Sequence, residues 1–359
     1  MINLAVVFGG KSVEHDISII TYTQVINSLD QKKYRIIPLY FSKNNDIYTS
    51  KSFLCSDFFR DDFNERLYNK CYLIKGKEKS YVKRGFHKIR IDVALIVMHG
   101  KDLEDGTISG FFKVLNIPTT NCSVGVSAVL HDKFYTKLLM KELDINVLDY
   151  KVVSKKDLPV SIDGRKMVKA CRLGSSIGIK KANGKDEINK AIYDCLKYDD
   201  KVIVEDLLSE FRELNQALYI KNGKVILSDI EEIIVKNNMF TFADKYQNRL
   251  CERVVPAQID EEINAQIVNS SLKIGENLQV RGVIRIDYLY NVEEKKVYVN
   301  EINVIPGALA YYLFESKGIY FKQFLDDLIN EGIRNAYFEN EKIQTFSSSV
   351  LSSQYSLKK

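Results

Sequence analysis

The chain has 359 residues, of which 45% are hydrophobic and 28% charged, the composition of a folded protein of two or three domains rather than a disordered one. Lys plus Arg is 52 against 47 for Asp plus Glu, a net charge of +5 with no basic block, so no nucleic-acid partner is expected. No apolar run approaches the roughly 18 residues of a membrane span, and the opening Met-Ile-Asn-Leu-Ala-Val-Val-Phe reads as a first strand rather than a signal peptide.

In chain order, residues 2–8 are an apolar strand ending in Gly9-Gly10, followed by a helical pattern over Ser18–Leu29. Arg35–Phe41 and Asp92–Met98 are further strands, the second one buried. Strands alternating with helices predict a parallel α/β layer, to which the polar and aromatic residues 43–90 are peripheral. The pattern changes near residue 123. Ser123–Leu143 reads as one helix, with Lys133 and Lys137 one turn apart. Lys166–Ala170 and Val202–Glu205 are strands, and Leu214–Ile220 and Lys224–Ile233 flank Asn222-Gly223, a strong hairpin signal. Val283–Tyr290 and Lys296–Ile302 form a second hairpin-like pair. The second half is therefore α+β and rich in antiparallel strands, and the Ser-rich tail from Thr345 is expected to fray.

The six cysteines (Cys55, Cys71, Cys122, Cys171, Cys195 and Cys251) form no C-x-x-C pair. Scattered in this way they suit free thiols in a reducing cytoplasm. Four histidines without an H-E-x-x-H motif argue against a His-rich metal site and leave open one held by carboxylates.

Four clusters carry chemistry. Arg285 and Asp287 fall on one face of a strand, and Glu301 and Asn303 on one face of the next, because side chains two apart point the same way. If those strands pair, three oxygen ligands and a guanidinium converge, a set suited to Mg²⁺ shared with nucleotide phosphates; the bland alternative is two solvated strand faces. Pro306-Gly307 follows, a turn able to approach a ligand closely. Gly174-Ser175-Ser176-Ile177-Gly178 offers N–H groups and hydroxyls to a phosphate after the strand carrying Lys169, although it is not a P-loop. The stretch from Phe8 to Asp16 lacks a dinucleotide fingerprint. Its Glu14 could hold a substrate ammonium or serve only as a charge at a helix start. His99, just after a buried strand, stands where open α/β sheets bind ligands.

Taken in order, these segments resemble the D-alanine–D-alanine ligase family of the ATP-grasp superfamily. The resemblance runs from about Asn3 to Ile319. It is carried by Phe-Gly-Gly-Lys-Ser-Val-Glu-His-Asp-Ile-Ser, His-Gly…Glu-Asp-Gly-Thr-Ile-Ser-Gly, His-Asp-Lys133, Gly-Ser-Ser-Ile-Gly, Asp-Lys-Tyr and Asn-Glu-Ile-Asn-Val-Ile-Pro-Gly. It implies α/β plus α+β architecture: an N-terminal parallel α/β domain (1–122), then a two-part ATP-grasp fold (123–205 and 206–344) and a polar tail (345–359). The implied reaction joins two D-alanines through an acyl phosphate for peptidoglycan synthesis, with ATP and two Mg²⁺, or Mn²⁺, in a cytoplasmic homodimer. By motif, Lys133, Lys169, Ser176 and Lys245 would contact ATP, Glu205, Asp206 and Leu208 would line the adenine pocket, and Glu213 would hold the ribose. Asp287, Glu301 and Asn303 would bind the metals. Glu14, Ser175 and Tyr246 would form a linked catalytic set with Arg285, while His99, Gly307 and Tyr312 would meet the substrates.

The chain departs from the family pattern at Leu103 and Ala170, in a segment one residue longer before Glu213, and at Tyr312, where a small hydroxyl residue is usual. A related ligase using D-serine, D-lactate or another amino acid as second substrate is therefore the alternative. A non-catalytic nucleotide-binding relative is disfavoured by the retained Asp287, Glu301, Asn303, Lys133 and Lys169.

Overall fold

The computed structural model describes residues 1–55, 57–59, 63–77, 79–100, 102–174, 178–235 and 251–348. The N-terminal part runs β1 (Ile2–Gly9), α1 (His15–Ser28), β2 (Tyr34–Phe41), β3 (Ile47–Tyr48), β4 (Tyr72–Lys75), β5 (Ser80–Arg84), β6 (His87–Ile91), β7 (Val93–Ile96) and α2 (Thr107–Val114). Next come α3 (Val124–His131), α4 (Lys133–Glu142), β8 (Tyr150–Ser154), β9 (Arg165–Ala170), β10 (Ile179–Asn183), α5 (Lys185–Cys195) and β11 (Lys201–Asp206). The remainder is β12 (Phe211–Lys221), β13 (Lys224–Val235), β14 (Cys251–Val254), α6 (Glu261–Asn277), β15 (Val283–Asn291), β16 (Lys296–Asn303) and α7 (Phe321–Asn340).

Among the described residues the strands form four sheets. In the first, ordered β3-β2-β1-β7, β1 pairs in parallel with β2 and with β7. Its strands are apolar runs because both faces are covered, and Leu4–Phe8 and Val93–Met98 are almost fully buried. The loops after β1 and β7 therefore leave the same edge of the sheet, where Glu14 and His99 stand. Close approach there requires glycine. Gly100 lies at φ +101°, and a Cβ on it would fall 2.1 Å from Ser12 Oγ.

The second and third sheets are antiparallel, ordered β10-β9-β11-β8 and β14-β13-β12-β15-β16. Asn222 and Gly223, both at positive φ, make the two-residue turn joining β12 to β13. The first and third sheets share one continuous apolar core, whereas Val153, Val168, Ile188, Ile192, Val202 and their neighbours form a separate small one. The second sheet is thus a packing unit of its own, placed against the other two.

Three expectations are corrected. Helix α1 begins at His15, three residues early, because the Glu14 N–H is taken by Ser12 Oγ (3.0 Å) and the buried His15 Nδ1 bonds Gly10 O (2.7 Å), which starts the turn. Ser123–Leu143 is two helices. Asp132 adopts φ −89°, ψ 110° and accepts hydrogen bonds from the N–H groups of Phe134 and Tyr135, capping α4. Residues 43–90 are not wholly peripheral. Phe53, Cys71 and Val82 enter the main core, and the Tyr22 hydroxyl donates to Phe53 O (2.8 Å).

Candidate active site

A cavity of about 390 Å³ opens between the three main sheets. One wall is the β15–β16 pair. Arg285 lies opposite Asn303 and Asp287 opposite Glu301, as the alternation required. Arg285 Nε and Nη2 donate to the two Asp287 oxygens (2.7 and 2.9 Å), and Asn303 Nδ2 donates to the second (3.0 Å). Burial disfavours the Arg285 charge, but Asp287 outweighs it and the pKa lies well above the usual arginine value. Next to this pair the register shifts, because Tyr288 pairs with Val299. Asn300 is the extra residue of a bulge, so Asn300 and Glu301 both line the cavity although adjacent in sequence.

Beside this wall lies an array of buried charges. Lys137 Nζ and Lys169 Nζ stand 2.7 and 2.6 Å from the two oxygens of Glu205, and Lys169 also donates to Asn300 Oδ1 (2.8 Å). Burial pushes the Glu205 pKa up, but Lys169 and Lys137 outweigh it and hold the carboxyl below its ordinary value. Burial lowers the Lys137 pKa despite Glu205. Lys133 Nζ lies 3.1 Å from Glu301 and donates to Leu173 O (2.7 Å). Burial would discharge it, but Glu301 prevails and its pKa is raised. Helix α4 begins at Lys133 and places Lys137 one turn later on the same face, so that one ammonium group reaches Glu301 on β16 and the other Glu205 on β11. Asp206, Leu208 and Glu213 line the cavity beyond Glu205.

At the opposite end stand Glu14, His99 and the turn after Pro306. His99 is buried, with Nε2 3.3 Å from Thr21 Oγ1 and Nδ1 3.6 Å from Glu104. Thr21 Oγ1 also accepts from the Ala308 N–H (3.3 Å) and donates to Ile17 O (3.1 Å), tying α1 to the turn. Ala308, Leu309 and Ala310 are all left-handed (φ 50°, 53° and 49°), a conformation costing about 1–2 kcal/mol per residue. Gly307 opens this turn and lines the cavity. Leu103, where the family has glycine, fills space beside Gly10: a Cβ on Gly10 would fall 2.8 Å from Leu103 Cδ1.

A further corner holds Tyr312, whose hydroxyl is 3.1 Å from each oxygen of the fully buried Glu231. Arg253 Nη1 donates to that hydroxyl (2.8 Å) and lies 3.5 Å from Glu231. Burial, with Glu231 beside it, pushes the Tyr312 phenol well above its usual pKa, so it remains a neutral hydroxyl.

Of the expected residues, Glu14, His99, Lys169, Glu205, Asp206, Leu208, Glu213, Arg285, Asp287, Glu301, Asn303, Gly307 and Tyr312 all line the cavity. Lys133 lines instead a small adjoining hollow with His131 and Glu301. Ser175, Ser176, Lys245 and Tyr246 lie outside the described residues. Thr21, Lys181, Glu231, Arg253 and Asn300 line the cavity without having been expected. Only Asn300 had a sequence signal, its place beside Glu301, and strict alternation put it on the other face. Among the described residues no three or more His, Cys, Asp or Glu side chains form a ready-made metal cage. Two carboxylates and an amide, as in Asp287, Glu301 and Asn303, fit an Mg²⁺ that takes its other ligands from phosphates and water.

A family model described as D-ala D-ala ligase N-terminus matches residues 3–122, and one described as D-ala D-ala ligase C-terminus matches residues 139–330. The chain is 37% identical to a D-alanine–D-alanine ligase of Thermosipho melanesiensis, over 98% of each chain. It is 39% identical to that of Thermosipho africanus, over 97% of each. Among solved structures it is similar to the VanG D-Ala:D-Ser ligase of Enterococcus faecalis (26% identity, TM-score 0.80, covering 92% of this chain and 99% of that one). It also shares the fold of the D-alanine–D-alanine ligase of Coxiella burnetii (24% identity, TM-score 0.83, covering 95% and 96%).

Proposed function

The chain belongs to the D-alanine–D-alanine ligase family, and we propose that the cavity between its sheets is where it joins two D-alanines using ATP. The enzyme is an ATP-dependent ligase whose product, D-alanyl-D-alanine, serves peptidoglycan synthesis. One observation carries the assignment of the site. Arg285, Asp287, Glu301 and Asn303 line one wall, between the lysine–glutamate array and the Glu14–His99 end.

On this reading the nucleotide lies along Lys169, Glu205, Asp206 and Leu208, with Glu213 at the ribose, and Lys133 and Lys169 meet the phosphates. The resemblance implies phosphate contacts for Ser176 and Lys245 as well, which lie outside the described residues. Asp287, Glu301 and Asn303 would hold two Mg²⁺, which would supply neutralisation of the charge on the phosphates. Glu14 takes the ammonium of the first D-alanine, and His99, tied to Thr21, fixes the wall beside it. The carboxylate oxygen attacks the γ-phosphorus, ADP leaves, and an acyl phosphate forms. The neutral amine of the second D-alanine attacks its carbonyl carbon. Arg285 stabilises the oxyanion, phosphate leaves, and the amine proton passes to solvent. The reaction needs water kept out, because water would hydrolyse the acyl phosphate; the resemblance implies a part in this for Ser175 and Tyr246, which lie outside the described residues.

The units 1–122, 123–205 and 206–344 are the working domains, and the separate small core of the second sheet supports that division. We place the enzyme in the cytoplasm as a homodimer. Among the described residues no helix is long and apolar enough to cross a membrane, and no disulfide is present. The test is a substrate panel: purified protein, ATP, Mg²⁺ and D- and L-amino acids with D-lactate, read by phosphate release and product mass. Dipeptide from D-alanine alone is expected. Depsipeptide, or a product only with another amino acid, would keep the ligase and refute the D-alanine acceptor.

A further inference from the structure

Three parts of the cavity wall have roles in the reading above, and in one further corner only Tyr312 was expected to meet a substrate. It is built from three elements far apart in sequence: Glu231 on β13, Arg253 on β14 and Tyr312 in the turn before α7. Glu231 is fully buried, and a buried carboxylate is costly unless its oxygens are matched. Here they are matched by the Tyr312 hydroxyl at 3.1 Å and by Asn215 Nδ2 at 3.2 Å, with Arg253 at 3.5 Å. Arg253 is held in turn by its bond to the Tyr312 oxygen, with its guanidinium 5.4 Å from the Tyr312 ring centre. Its side chain is 46% exposed and lines the cavity. A fixed cation is thus presented to the cavity from the edge of the third sheet opposite β16, whose Glu301 and Asn300 hold Lys133 and Lys169. It lies near the reacting centre, since Asn215 on β12 pairs with Glu231 on one side and with Asp287 on the other.

We propose that Arg253 recognises the carboxylate of the acceptor amino acid, with Glu231 and Tyr312 as positioning residues that fix its direction. The inference rests on the ligase reading above and names the recognition group of its second substrate. An acceptor must bring its amine to the acyl carbon beside Arg285 while its own anionic carboxylate points elsewhere. A guanidinium held at one orientation is suited to that carboxylate because its planar donors match two oxygens at once. The Tyr312 ring stands beside the same position and limits the acceptor to a small side chain.

The test uses the full chain with ATP and Mg²⁺, D-alanine as donor, and three acceptors: D-alanine, D-alaninamide and hydroxylamine. The last two lack the carboxylate, and hydroxylamine traps the acyl phosphate as D-alanyl hydroxamate. The wild type should favour D-alanine over D-alaninamide at least tenfold in kcat/KM. In Arg253→Met that preference should fall below threefold through a raised acceptor KM, hydroxamate formation should stay within threefold of wild type, and Arg253→Lys should recover part of the preference. An unchanged preference in Arg253→Met would overturn the proposal. So would a loss of hydroxamate in step with dipeptide, because it would mean that Arg253 serves the first half-reaction or the fold. A wild type that makes neither dipeptide nor hydroxamate would refute the ligase reading itself, and with it this inference.

Discussion

Replacing Lys169 by methionine separates a phosphate grip from a structural ion pair, because the same carboxylate also holds a second lysine. Lys169 Nζ lies 2.6 Å from Glu205 and 2.8 Å from Asn300 Oδ1, and the side chain lines the cavity. Lys137 Nζ lies 2.7 Å from the other Glu205 oxygen, and its side chain is 2% exposed. Removing the sole partner of a buried charge costs about 3–5 kcal/mol. Here each variant leaves Glu205 one lysine, so each should lose less, about 1–3 kcal/mol of stability. The activities should diverge. A charge-assisted hydrogen bond to a phosphate is worth about 1.5–3 kcal/mol, which is roughly a ten- to hundredfold loss in kcat/KM for ATP. Lys169→Met should show that loss, and Lys137→Met should stay within about threefold when assayed well below its melting temperature. Steady-state kinetics with ATP varied, alongside denaturant unfolding of both variants, makes the comparison. Equal losses of kcat/KM in the two variants, or none in Lys169→Met, would refute the phosphate role and leave the lysines as structural partners of Glu205.

Two further predictions concern the β15–β16 wall and the charged array beside it. Glu301→Gln removes one of two anionic ligands, so turnover should fall by orders of magnitude at ordinary Mg²⁺ and recover in part as Mg²⁺ is raised; full turnover at ordinary Mg²⁺ would exclude Glu301 as a ligand. The second concerns pH. Burial raises the Glu205 pKa, but the two lysines carry it below the ordinary value of 4.5. The unfolded chain then binds more protons than the native one between those two values. The stability supplied by Glu205 is therefore complete above about pH 4.5 and is lost as pH falls through the lower native value. The difference in urea midpoint between wild type and Glu205→Gln should shrink below pH 4.5, and a difference that does not change with pH would contradict the pairing.

How much of this was legible in the sequence depended on how local each feature is. Arg285, Asp287, Glu301 and Asn303 were readable because two strands joined by a short connection obey a period of two. The same rule hid Asn300, since a bulge adds a residue without any glycine or proline to mark it. The break between α3 and α4 was hidden by apolar spacing that continues across Asp132, whose capping role depends on a backbone angle. Asn222-Gly223 fixed its hairpin because both residues tolerate positive φ. The Glu231–Arg253–Tyr312 corner left no signal. Its members lie on separate elements, and only the pairing of β13 with β14 and the left-handed turn at 308–310 bring them together. The resemblance to a family flagged Tyr312 as unusual but not its two partners.

Transfer of a labelled oxygen tests the central claim most directly, because it reports on the bond that ATP is used to make. D-Alanine carrying ¹⁸O in both carboxylate oxygens is incubated with the enzyme, ATP and Mg²⁺, and the released phosphate and the product are weighed by mass spectrometry. Activation of the carboxylate by phosphoryl transfer predicts D-alanyl-D-alanine and one ¹⁸O atom per phosphate released. Dipeptide formed with unlabelled phosphate would contradict the account, because the carboxylate would then never have bonded to the phosphorus that leaves as phosphate.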